Sequence, residues 1–130
     1  MIRYQSKKDR GQWDALNKGF AKAKGDILGF INADDVYKKG AFKEIVRLCK
    51  LNPEELWFAG RGDVINTKGD CRALLPTIYK NFPLSLNMRF FLLITNYLMQ
   101  PSVFITKKAW RSFGPFVGVG RFVMEYNTWL

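Results

Sequence analysis

The sequence predicts an α/β fold, a mixed sheet flanked by helices, in one domain over residues 1–130. Three observations carry this: apolar residues at helical spacing in 11–23 and 41–49, an apolar run at 27–31 too short for a helix, and a return to strand-then-helix order after residue 97. At 130 residues, with 48% hydrophobic and 15% aromatic content, there is enough apolar material for one modest core.

Trp13, Leu16, Phe20 and Ala23 mark the first helix, and Asp14 precedes Lys18 by four residues, the order that favours an ion pair on a helix face. Gly25 and Asp26 end it. The apolar run 27–31 then reads as a buried strand leading into Asn32, Ala33, Asp34 and Asp35. Phe42, Ile45, Val46 and Cys49 define a second amphipathic helix that stops before Pro53. Residues 56–59 and 62–65 read as short strands, and turn chemistry at 67–70 leads to 72–79, together a small antiparallel excursion. A helix at 84–94, a strand at 98–105, a short helix at 106–113, a glycine-rich loop and a last amphipathic helix carrying Phe122, Glu125, Tyr126 and Trp129 complete the order.

Composition excludes much chemistry. The chain has no histidine, so it holds no imidazole base, catalytic triad or histidine metal site. Cys49 and Cys71 alone make neither a zinc cluster nor a disulfide framework, which fits a reducing, cytoplasmic setting. Lys and Arg number 21 against 11 Asp and Glu, a formal charge of +10 that calls for an acidic partner: nucleic acid, an anionic membrane surface or a phosphorylated substrate. No secretory signal is expected from the polar start. The most apolar stretch, 88–99, contains Arg89, Thr95 and Asn96 and falls short of the ~18 apolar residues of a bilayer span. It reads as buried core, with an interfacial membrane patch as the alternative.

Three constellations could carry chemistry. Adjacent carboxylates Asp34 and Asp35 at the carboxyl end of a buried strand lie where open α/β sheets place ligands, and all-oxygen donors select Mg²⁺ or Mn²⁺. The same tetrad also fits an Asx turn or helix cap. Asp9 and Arg10 can face an anion or base edge before the first helix, or simply cap it. Glu125 is the lone acid after Asp70, either a general base or a surface partner of Arg121 at i, i+4. Arg61-Gly62-Asp63 carries no adhesion meaning here, Gly60-Arg61-Gly62 lacks the third glycine of a dinucleotide fingerprint, and there is no P-loop.

Taken in order, Asp9-Arg10-Gly11-Gln12, Asp14 to Phe20, Ala23-Lys24-Gly25-Asp26-Ile27, Asn32-Ala33-Asp34-Asp35, Gln100-Pro101-Ser102, Gly114-Pro115-Phe116 and Met124-Glu125-Tyr126 resemble glycosyltransferase family 2, of the GT-A fold. The resemblance implies inverting transfer of a sugar from a nucleotide-diphosphate donor to a hydroxyl of a glycan or lipid-linked acceptor. It gives Asp35 a divalent metal, Mn²⁺ or Mg²⁺, and Asp34 the ribose. Asp9 and Arg10 match the loop beside the base, Gln100 a residue near the donor sugar, and Glu125 the acceptor's base. It also implies possible peripheral association with the cytoplasmic face of a membrane, with no nucleic acid partner.

Departures accompany the match. Val117 and Gly118 stand where the family often has Asp-Glu, Glu125 where it often has Asp, and Asn127 where a further acid is frequent. The family's leading strand has no counterpart before Ile2, and the chain stops at Leu130 within the last matching helix, so a partial domain is expected. Without that leading region, the strand at 27–31 is expected to lack neighbours and to favour association through its edge. The competing readings are a catalytically incomplete remnant that binds nucleotide or polyanion without turnover, and a nucleic-acid module whose affinity falls steeply with salt.

Overall fold

A computed structural model describes residues 4–72, 74–86 and 88–117. Helix α1 (Gln12–Lys22) follows Gly11, whose φ of 141° lies in a region that favours glycine. Strand β1 (Ile27–Gly29) leads through a turn to α2 (Ala41–Leu51), which begins after left-handed Gly40. Next come β2 (Trp57–Ala59), α3 (Leu74–Ser85), short 3₁₀ turns at Arg89–Leu93 and Gln100–Ser102, β3 (Val103–Thr106) and α4 (Lys107–Phe113). The Thr106 hydroxyl caps α4 by accepting from the Ala109 amide at 3.1 Å.

The sheet order is β1-β3-β2. Both pairings are antiparallel, with Leu28 opposite Ile105 and Phe58 opposite Phe104, so the described strands form an antiparallel sheet in place of the expected mixed one. The reason is topological: β3 returns between β1 and β2 and runs against both. It also gives the strand at 27–31, here shortened to β1, a neighbour along one edge.

Period-2 burial divides the sheet into two faces. Leu28, Val103 and Ile105 join Phe20, Leu92, Tyr97, Leu98 and Phe116 in the main core. There the Phe20 ring meets Trp110 edge-on at 6.1 Å and Phe116 at 5.7 Å. Phe58 and Phe104 occupy the other face. Phe104 lies over Gly29, where a Cβ would come within 2.8 Å of its ring, and the Tyr37 ring packs on Phe104 at 5.6 Å, tilted by 31°.

Asn17 joins α1 to the segment after α4. Its Nδ2 donates to the Phe116 carbonyl and its Oδ1 accepts from the Phe116 amide, both at 2.9 Å. That segment is thereby seated on α1, with the Phe116 ring in the core.

Two expectations need correction. Residues 72–79 are not extended, since most of them lie in α3; of the antiparallel excursion the strand at 56–59 stands as β2, and 62–65 is reduced to the Ile65–Cys71 bridge. The helix expected over 84–94 is divided, because α3 ends at Ser85 and a 3₁₀ turn begins at Arg89. The last amphipathic helix falls outside the described residues.

Candidate functional site

The chain leaving β1 closes on itself. The Asp35 amide donates to the Asn32 carbonyl at 3.2 Å, and Asn32 Nδ2 donates to Asp35 Oδ2 at 2.9 Å. The tetrad is therefore a β-turn closed through the backbone and pinned by a side-chain bond, in place of the Asx turn or helix cap that the sequence allowed. Asp34 is exposed and Asp35 half-buried, and both line a cleft of about 930 Å³. Among the described residues neither forms an ion pair.

Phe58 and Phe104 from the sheet and Ile45 and Leu48 from α2 contribute the apolar lining of that cleft. The Tyr37 hydroxyl donates to the Phe30 carbonyl at 3.4 Å, and its ring packs on Phe42 at 4.9 Å. Burial, then the charge of Asp35, pushes the Tyr37 phenol above its ordinary pKa and keeps it a neutral donor.

Gln100, at the start of its 3₁₀ turn, lines the same cleft. Its Nε2 is buried and has no hydrogen-bond partner among the described residues. Lys80 reaches the cleft from α3 while donating to the Leu98 carbonyl at 3.2 Å, and Arg61 adds a second cation. Lys38 and Asp63, also lining residues, pair with each other. Asn81 holds Gly62 by both backbone groups, accepting from its amide at 3.2 Å and donating to its carbonyl at 2.8 Å. Arg61, Asp63 and Lys80 were not singled out for the site from the sequence. Only the basic bias of the later half hinted at Lys80.

The structure thus brings Asp34, Asp35 and Gln100 to one cleft. Asp9 and Arg10 do not line it and take part in an ionic cluster at the start of α1. Lys18 Nζ binds Asp9 at 2.7 Å and Asp14 at 2.8 Å, while Arg10 gives Asp14 its backbone amide at 3.1 Å and its guanidinium at 3.3 Å. The Asp14–Lys18 pair foreseen on the helix face is present, and Asp14 is in addition buried and accepts from Arg10 as well. The Lys18 and Arg10 hydrogen bonds hold its carboxyl down to about 2. Arg10 also sits 4.8 Å from the centre of the Trp13 ring. Glu125 lies outside the described residues.

No group of three or more Cys, His, Asp or Glu side chains forms a metal cluster among the described residues. A chelating cage is therefore absent there. Asp34 and Asp35 still fit a magnesium-like ion, which commonly takes one or two carboxylates and completes its shell with phosphate oxygens and water.

The family model for glycosyl transferase family 2 matches residues 2–111, and the chain belongs to that family. A curated protein of Nostoc sp. (strain PCC 7120 / SAG 25.82 / UTEX 2576), named an uncharacterized glycosyltransferase, is 39% identical over 44 residues. Those residues make up 34% of this chain and 14% of the Nostoc protein's length. No solved structure matches the chain.

Proposed function

We propose that the cleft beside β1 receives a nucleotide-diphosphate sugar and that the domain transfers the sugar, with inversion, to an acceptor hydroxyl. The supporting observation is the meeting of Asp34, Asp35 and Gln100 on one cleft of about 930 Å³ in a chain of this family. The volume lies within the range of small-molecule sites. In this reading Asp34 accepts from the ribose, and Asp35, with Asp34 beside it, holds a divalent cation on the diphosphate. A bound cation supplies charge neutralisation on the leaving group. Lys80 and Arg61 add positive field to the cleft, and the unpaired Nε2 of Gln100 offers a donor to a sugar hydroxyl. By resemblance alone Glu125 is assigned the acceptor's proton, and Asp9 and Arg10, which lie beyond the lining of this cleft in the ionic cluster at the start of α1, the base side of the donor.

The test is turnover of a panel of uridine and guanosine diphosphate sugars with Mn²⁺ or Mg²⁺. Asp35→Ala should lower turnover by about 10²-fold or more while the circular dichroism spectrum stays unchanged. Retention of the wild-type rate by that variant refutes the metal role. Calorimetric binding of nucleotide diphosphate with no turnover across the panel assigns the cleft to binding alone.

A further inference from the structure

Helix α3 is amphipathic in the reverse sense to a core helix. Its inward side is held largely by polar contacts: buried Thr77 accepts from the Val64 amide at 3.3 Å, Lys80 binds the Leu98 carbonyl, and Asn81 holds Gly62, while towards the end of the helix Pro83 is buried and Leu84 packs on the core. Leu74, Leu75, Ile78, Tyr79 and Phe82 fall on an arc of about 140° at 100° per residue, and this arc is exposed. Leu75 is 80% exposed and Phe82 60%. The following 3₁₀ turn and its end extend the apolar material, with Phe90 85% and Ile94 77% exposed. The Tyr79 and Thr95 hydroxyls tie the two elements together at 2.7 Å. A helix held by its polar side, with its apolar side turned outward, presents an unpartnered surface.

Charge identifies the occupant. From Cys71 to Val117 the sequence contains no Asp or Glu, while exposed Arg72 precedes α3. A second copy on the same face would set this acid-free, cationic stretch against its equivalent. An anionic bilayer surface complements both the apolar arc and the cation beside it. No helix among the described residues is long and apolar enough to cross a membrane. At about 18 Å, α3 has the length of a helix lying in the interface. We infer that the face formed by α3 and the Arg89–Leu93 turn is a docking surface for membranes that carry anionic lipid.

Co-sedimentation of the full chain with phosphatidylcholine vesicles, with and without added phosphatidylglycerol, tests this. The chain should pellet with the anionic vesicles, and the bound fraction should fall when sodium chloride is raised from about 0.1 M to about 0.5 M. Phe82→Glu and Phe90→Glu should each weaken partitioning about tenfold or more. Phe90 lies on a separate element and is largely exposed, so its variant keeps the test valid if the α3 variant fails to fold. Absence of pelleting at low salt overturns the inference, as does binding that neither substitution weakens. A dimer in sedimentation velocity that Phe82→Glu dissociates overturns it too, by assigning the face to a second copy. Pelleting is read without turnover, so its loss is distinguishable from failure of the transfer reaction.

Discussion

Removing the Asn17 side-chain amide should release the segment after α4 from α1. Asn17→Ala deletes both 2.9 Å bonds to the Phe116 backbone. At about 1 kcal/mol for each net hydrogen bond, the loss is about 2 kcal/mol, or roughly 30-fold in the ratio of folded to unfolded chain. For a chain of this size, the melting temperature should fall by about 8 °C, at roughly 4 °C per kcal/mol. Asn17→Asp separates the two bonds. Its carboxylate still accepts from the Phe116 amide but faces the Phe116 carbonyl without a proton, so at neutral pH it should be at least as unstable as the alanine variant. Protonation below about pH 4 restores a donor and should recover part of the loss relative to wild type. Urea unfolding followed by tryptophan fluorescence measures both variants. A change under about 0.5 kcal/mol for Asn17→Ala would show that the amide does not secure this segment.

Gly29→Ala should cost about 1–3 kcal/mol through contact with Phe104, and Phe104→Leu should recover part of that cost in a double-mutant cycle; strict additivity would argue against the contact. Asp14 provides a pH signature because its folded pKa of about 2 lies below the ordinary 3.8. Its contribution is complete above the ordinary value and disappears as pH falls through about 2. Acid titration of stability should therefore be flatter for Asp14→Asn than for wild type; parallel curves would contradict the assignment.

The helices α1 and α2 were legible because their apolar residues recur at helical spacing, although on α2 only Ile45 is buried while Phe42 and Val46 remain exposed. The carboxylate turn after β1 was legible because a short apolar run ended in Asn-Ala-Asp-Asp, and its place at a cleft followed. α3 was not legible, since periodicity identifies the apolar side of a helix but not which side faces inward. Thr77, Lys80 and Asn81 are polar residues on the inward side. Pro83 further obscured the pattern, and the same stretch was divided between an expected strand and a later helix. Asp14 was foreseen as one member of a pair, because spacing reveals Lys18 at i+4 but not the backbone amide of Arg10 turned onto the same carboxylate. The order of the sheet lay in contacts between Gly29 and Phe104 that no local window contains.

The middle strand of the sheet is the one specified last. During synthesis, β1 and β2 leave the ribosome with their pairing edges open, and neither gains its partner until Val103–Thr106 follows. At ordinary translation rates, the interval between β2 and β3 is roughly 2–9 s, long enough for chaperones to engage the nascent chain. Release before β3 leaves both outer strands unpaired, so premature termination in this interval should yield polypeptide that quality control captures rather than a smaller stable domain.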